Sequence, residues 1–156
     1  MKTTQFMLLV LLFSFTSCGN ADKSKSDVAE TKTTVTEKPK SMIADPRENK
    51  GIGPITSVSL GATIDEEMAA HGKEIYDAKC TACHKPDTKF IGPAPTGIFE
   101  RRSPEWIMNM ILNPEEMVQK DPDAKKLLME FNGSPMANQN LTEEEARAVL
   151  EYFRTL

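Results

Sequence analysis

Large aromatic side chains are scarce in this chain: they make up 6% of 156 residues, with one Trp and two Tyr. A core short of rings must take its volume from elsewhere, and the nine Met or a bound cofactor are the candidates. A basic excess is also missing. The net charge is -4, which excludes a basic nucleic-acid binder on bulk charge. Long apolar runs are absent too. The longest, from Phe6 to Phe15, is too short to span the roughly 30 Å of a bilayer core as a helix, and 27% of the chain is charged, so a polytopic membrane protein is excluded. No stretch alternates cleanly with period two, so strands are not expected. Cysteine is limited to three residues, an odd number, which leaves at least one outside any intrachain disulfide.

The start of the chain, Met1 to Cys18, has one Lys followed by an apolar stretch of signal-peptide length. Thr16 and Ser17 are small and Cys18 follows at once. This resembles a bacterial lipoprotein signal, which implies removal of residues 1–17 and a lipid on Cys18. An ordinary secretory signal or an uncleaved anchor would leave Cys18 incidental. Either way the chain is expected to be exported. Residues 19–45 are mostly Lys, Thr, Ser, Asp and Glu, with too few apolar groups to offset the entropy of ordering, so they read as a flexible tether. Residues 45–62 place Gly51, Gly53, Pro54 and Gly61 among Ile52, Ile55, Val58 and Leu60. That composition fits an extended arm touching the domain or a partner, or a solvated linker. The expected layout is a signal at 1–17, tether and arm at 18–62, and a compact domain at 63–156.

Four helical patterns mark that domain. One runs from about Asp65 to Lys79, with Met68, Gly72, Ile75 and Tyr76 on one face. A second opens at Ser103-Pro104-Glu105, an N-cap followed by Pro at the first helical position, and stops at Asn113-Pro114. It is apolar nearly all round from Trp106 to Leu112, so it should be largely buried. A third spans Pro122 to Phe131. The last opens at Thr142-Glu143-Glu144-Glu145, a capping box, and carries Ala146, Val149, Leu150 and Phe153 as a buried stripe.

Cys80-Thr81-Ala82-Cys83-His84 is C-x-x-C-H, the pattern of covalent c-type haem attachment. Each thiol adds across one porphyrin vinyl group. Two intervening residues set the sulfurs about a helical turn apart, and the next residue brings an imidazole under the ring. A chance match in a chain of this length is roughly one in a thousand. A thioredoxin-like C-x-x-C needs a βαβ context, which is missing. Zinc on Cys80, Cys83, His84 and His71 would require adjacent ligands and fits no common finger spacing. A Cys80–Cys83 disulfide would close a small loop and stabilise little.

At these residues the chain resembles the class I, mono-haem cytochromes c, over roughly residues 65–156. Gly72-x-x-Ile75-Tyr76-x-x-x-Cys80 looks like the N-terminal helix leading into the haem motif. Gly92-Pro93 looks like the following loop, whose Pro93 carbonyl accepts the imidazole N–H. Leu141-Thr142-x-Glu144-Glu145 opens what looks like the C-terminal helix, crossing the first at Gly72 with Tyr152 or Phe153 as aromatic partner. The resemblance implies an all-α fold of about four helices around one covalent haem c, held by Cys80 and Cys83, with His84 as an axial iron ligand. Arg101, Arg102 and Trp106 stand where haem-propionate partners often lie, and Trp106 reads equally as core. The sixth ligand should come from the segment between Trp106 and Thr142. Met117, next to Glu115-Glu116, is expected at the surface. Met129, beside Leu127, Leu128 and Phe131, is expected in the core. Met136, in Asn132-Gly133-Ser134-Pro135-Met136-Ala137-Asn138, is the expected ligand. His71 is expected to be an exposed helix residue.

The resemblance implies a one-electron carrier without substrate chemistry of its own, lipid-anchored to a bacterial membrane and facing the periplasm. Its donor would be a quinol-oxidising complex or another cytochrome, and its acceptor a terminal reductase or oxidase. The arm at Gly51 to Ile55 and the segment from Trp106 to Pro114 are similar to small cytochromes of bacterial nitrous-oxide reductase systems, which makes that reductase one expected partner. The alternative is a haem protein with an open iron site, a peroxidase or gas-ligand sensor. Only two His are present, which counts against distal acid–base chemistry.

Overall fold

The computed structural model describes residues 45–156. The signal, Cys18 and the tether to residue 44 lie outside the described residues. Five α-helices occur in order, with no strand among the described residues: α1 Glu66–Lys79, α2 Pro104–Leu112, α3 Pro114–Lys120, α4 Pro122–Glu130 and α5 Glu143–Phe153. A single 3-10 turn, Ile98–Glu100, precedes α2.

Four of the five helix starts are written in their caps. Asp65 accepts from the Met68 amide, Ser103 from Trp106, Asp121 from Ala124, and Thr142 from Glu145, whose own carboxylate reaches back to complete a capping box. Helices α2, α3 and α4 all carry Pro at the first helical position, where the missing N–H costs nothing. The expectation of four helices misses α3. Pro114 both ends α2 and starts α3, because a residue that cannot continue one helix is well suited to begin the next.

Helices α1 and α5 cross at Gly72. A methyl group there would run into the Ala148 carbonyl, so only Gly permits the approach. Around this crossing Tyr76 packs against Tyr152 and Phe153, with ring centroids 5.3 Å and 5.8 Å apart. Glu151, 1% exposed, ties the crossing to the chain ahead of it. Its carboxylate accepts from the Asp65 amide and pairs with Arg147 and Arg154. Burial pushes the Glu151 pKa up, and those donors more than offset the rise, so the group sits below its ordinary value.

Residues 45–62 pack against the helices, as the reading of an extended arm touching the domain expects and a solvated linker does not. Asn109 of α2, 1% exposed, grips the arm as a backbone would: its amide oxygen accepts from Ile55 N–H, and its Nδ2 donates to the carbonyls of Lys50 and Ile55. Gly51, at φ 74, lies against Met117 and Trp106. The Ile52 amide donates to the Met117 sulfur at 3.0 Å. Met117 is therefore fully buried, against the expected surface position, because the arm covers it. Met129 departs the other way and is 73% exposed. Helix α4 turns Ala124 and Leu127 inward, leaving Met129 on its solvent side.

Candidate haem site

Helix α1 ends in the motif. The Cys80 amide still bonds to Tyr76, while Cys83 and His84 both donate to the Cys80 carbonyl, at 3.0 Å and 2.9 Å. These bonds wind the five residues into a tight turn, with both thiols and the imidazole on the wall of one cavity of about 570 Å³. Burial first, then the neighbouring Cys83, pushes the Cys80 thiol up to about 11, so it stays protonated across neutral pH. Among the described residues no cluster of His, Cys, Asp and Glu is arranged for a bare metal ion.

His84 is held from two sides. Its Nδ1 lies 2.8 Å from the Pro93 carbonyl, which can only accept, so Nδ1 carries the proton and the Nε2 lone pair is left for a metal. Its own carbonyl accepts from the Tyr76 hydroxyl at 2.8 Å. Gly92 sits beneath the ring, and any Cβ there would strike the imidazole. The sequence marked Tyr76 only as a core residue. Its hydroxyl role was legible only in that a Tyr pointing into a core usually finds a partner. Burial first, then the nearby Tyr152, pushes the Tyr76 hydroxyl up to about 12, so it remains a donor across neutral pH.

The rest of the cavity wall is mainly apolar. Ile107, Ile111, Val118, Leu127 and Phe131 contribute, with the half-buried Met136 and Leu141 from the segment ahead of α5. Met136 and His84 thus line the same cavity. Pro93, Arg101, Arg102 and Trp106 line it as well. The Trp106 indole N–H is committed to Asp121 Oδ1 at 3.0 Å, so its ring faces the cavity while its donor does not. Arg102 stacks its guanidinium over that ring at 4.8 Å. Arg101 donates to the carbonyls of Ala94 and Thr96. His71 is exposed on α1 and is not among the cavity residues. Cys18 lies outside the described residues.

An apolar cavity with two thiols and an imidazole of fixed tautomer on one wall fits a covalently bound, iron-containing macrocycle. The cytochrome c family model matches residues 69–156. The chain belongs to the cytochrome c family. Its cofactor is haem c, with Cys80 and Cys83 forming the attachment site, and its chemistry is haem-based electron transfer. Solved structures agree. The chain is similar to cytochrome c from Rhodothermus marinus, at 47% identity and a TM-score of 0.64 over 66% of this chain and 88% of that one. An engineered form of that cytochrome bound to a carbene intermediate matches at 46% identity and TM-score 0.61, over 66% of this chain and 88% of that one. The cytochrome c domain of a Pseudomonas putida protein matches at 28% identity and TM-score 0.50, over 54% and 85%. No curated protein matches the chain.

Proposed function

We propose that this cytochrome is a mono-haem, one-electron carrier with His84 and Met136 as its axial iron ligands. The observation that carries this is that a His with its Nδ1 proton fixed by Pro93 and a Met from a separate segment line one cavity. Haem c supplies an iron that alternates between ferric and ferrous states. The chain's own residues do the rest. Cys80 and Cys83 hold the macrocycle, Pro93 and Tyr76 orient the His84 imidazole, and the apolar wall from Ile107 to Phe131 excludes water. A neutral thioether favours the ferrous state and raises the potential relative to a second imidazole.

The carrier is anchored through Cys18 to a bacterial membrane and faces the periplasm. It takes electrons from a quinol-oxidising complex or another cytochrome and passes them to a terminal reductase or oxidase. Nitrous-oxide reductase is one candidate acceptor, on the likeness of the Gly51 to Ile55 and Trp106 to Pro114 segments, and a terminal oxidase is an equal one. Three experiments test this. A weak near-infrared sulfur-to-iron band should be present in the ferric protein and absent in Met136→Ala; persistence in that variant removes the ligand assignment. Reduced protein mixed with purified nitrous-oxide reductase and with a terminal oxidase should be oxidised faster by its true acceptor, and oxidation by neither removes the respiratory reading. Cys18→Ala should release the chain from the membrane fraction or leave the precursor unprocessed.

A further inference from the structure

Lys89 belongs to the loop that follows the haem motif, yet its ammonium reaches the opposite lip of the cavity. Its Nζ donates to the Glu130 carbonyl at 3.2 Å and lies 4.4 Å from the centroid of the Phe131 ring. Glu130 is the last residue of α4. The ammonium therefore meets a helix C-terminal carbonyl, the negative end of the helix dipole and a π-face at once. It forms no ion pair with a described acid.

The segment that Lys89 meets is the start of the one carrying Met136. Residues 135–141 donate no main-chain N–H to the main chain of another element, and the Asn140 amide turns back to the Asn138 side chain. Left-handed residues bound the segment, Asn132 and Gly133 at one end and Asn140 at the other. Between those corners, one side-chain bond, Asn138 Nδ2 to the Leu112 carbonyl at 3.3 Å, ties it to the helices. The position of Met136 thus depends on how firmly the two ends are held. The far end is set by the α5 capping box. At the near end, Phe131 lines the cavity and lies under Lys89.

We propose that Lys89 is a positioning residue, a latch across the cavity mouth that holds the Met136 segment in register with the iron. This rests on the reading of Met136 as an iron ligand. Its loss should not unfold the domain, since Lys89 is exposed. It should instead weaken the hold on Met136 and make the sixth position easier for an outside ligand to take.

The test is an imidazole titration of the ferric holoprotein at fixed pH and ionic strength, followed by loss of the near-infrared sulfur-to-iron band. Lys89→Ala should bind imidazole about three- to tenfold more tightly than the parent, the size expected where one exposed cation–π contact dominates and water largely replaces the exposed hydrogen bond. Lys89→Arg keeps a cation that can donate and stack, and should restore the parent affinity. Lys125→Ala removes the same charge from the exposed face of α4 and should stay within about twofold of the parent. Equal affinity in Lys89→Ala and the parent overturns the latch, as does an equal shift in Lys125→Ala. If the parent protein shows no near-infrared band, the Met136 reading fails and the latch with it. If the band is present but Lys89→Ala leaves affinity unchanged, only the latch fails.

Discussion

His84 and Met136 line the same cavity, but the chain holds them by different means. His84 lies in a five-residue turn continuous with α1, its ring fixed by Pro93, its carbonyl by Tyr76, and its underside closed by Gly92. Met136 lies between two left-handed corners in a segment tied to the helices by one long side-chain bond. The first arrangement is local in sequence and rigid. The second depends on distant parts: α4, α5, Lys89 and the brace that the arm provides behind α2 and α3. The His84 side is therefore set by its own short sequence, and the Met136 side by the packing of most of the domain.

The largest expected effect removes the shared element. Cys80→Ala with Cys83→Ala should abolish covalent haem, so that acid-acetone extraction leaves a colourless chain. With few aromatic residues and about 570 Å³ of cavity at its centre, the domain cannot close over that space, and the double variant should be protease-sensitive. A folded, protease-resistant double variant would show that the helices need no cofactor to pack.

Substitutions on the two sides should then diverge. Gly92→Ala places a methyl group against the His84 ring, so haem incorporation and stability should both fall, by about 1–3 kcal/mol or more where the backbone cannot give way. Met136→Ala should leave fold and haem content near normal while the near-infrared band disappears. The potential should drop on the order of 100 mV. Equal losses of haem content in the two variants would erase the contrast.

The brace behind the Met136 side can be cut separately. Asn109→Ala removes three hydrogen bonds to the arm and leaves the Ile55 amide and two carbonyls without partners. A loss of about 2–3 kcal/mol is expected, seen as a lower Tm and earlier proteolytic cleavage within 45–62. Unchanged cleavage of the arm would mean that Met117 and Gly51 hold it alone.

These contrasts follow the line between what the sequence reveals and what it hides. The motif, Gly92-Pro93, the Gly72 crossing and the caps at Ser103, Asp121 and Thr142 are short-range signals, each with one physical reason, and each is legible. The arm is not, because its apolar residues follow no period and its binding is mostly main chain to Asn109. One signal was available: an Asn in the middle of Trp106-Ile107-Met108-Asn109-Met110-Ile111-Leu112 is a polar group that must find partners when buried. The misplacement of Met117 and Met129 has the same origin. A seven-residue helix is too short for periodicity to assign a face, and the burial of Met117 depends on a segment some 65 residues away in the chain. Helix α3 itself was legible, since Pro114 with Glu115-Glu116 repeats the pattern of Pro104-Glu105.

Acid should loosen the α1–α5 crossing through Glu151, which ties the start of α1 to α5. Its folded-state pKa lies below its unfolded value. The stability it contributes is therefore present above the unfolded carboxylate value of about 4.3, and is lost as pH falls through the lower folded value. Thermal melts at descending pH should show this decline in the parent and a flatter one in Glu151→Gln, which starts from a lower Tm. Parallel declines would place the acid sensitivity elsewhere.

The smallest expected effect concerns the rim of the cavity. From Lys79 to Arg102 there are five basic residues, Lys79, Lys85, Lys89, Arg101 and Arg102, against Asp87 and Glu100, whereas residues 63–156 together carry 17 acids and 11 bases. Lys85, Lys89 and Arg101 donate to carbonyls, of Thr81, Glu130, and Ala94 with Thr96. A carbonyl satisfies a donor without cancelling its charge, and none of the five forms an ion pair with a described acid. The rim therefore keeps a positive field on an acidic domain, which steers an anionic partner toward the cavity. Ferricyanide is a suitable anionic probe and tris(phenanthroline)cobalt(III) a cationic one. Between about 10 and 150 mM salt the screening length shrinks from roughly 30 to 8 Å. The rate with ferricyanide should fall by roughly threefold to tenfold over that range, and the rate with the cobalt complex should stay level or rise. Two Arg at the rim can also meet the haem carboxylates, which would remove part of the field. Lys79→Glu at the cavity and Lys125→Glu on the exposed face of α4 change the net charge equally and separate these contributions: the ferricyanide rate at low salt should drop further in Lys79→Glu if the rim carries the field, and equally in both if nothing but overall charge is at work.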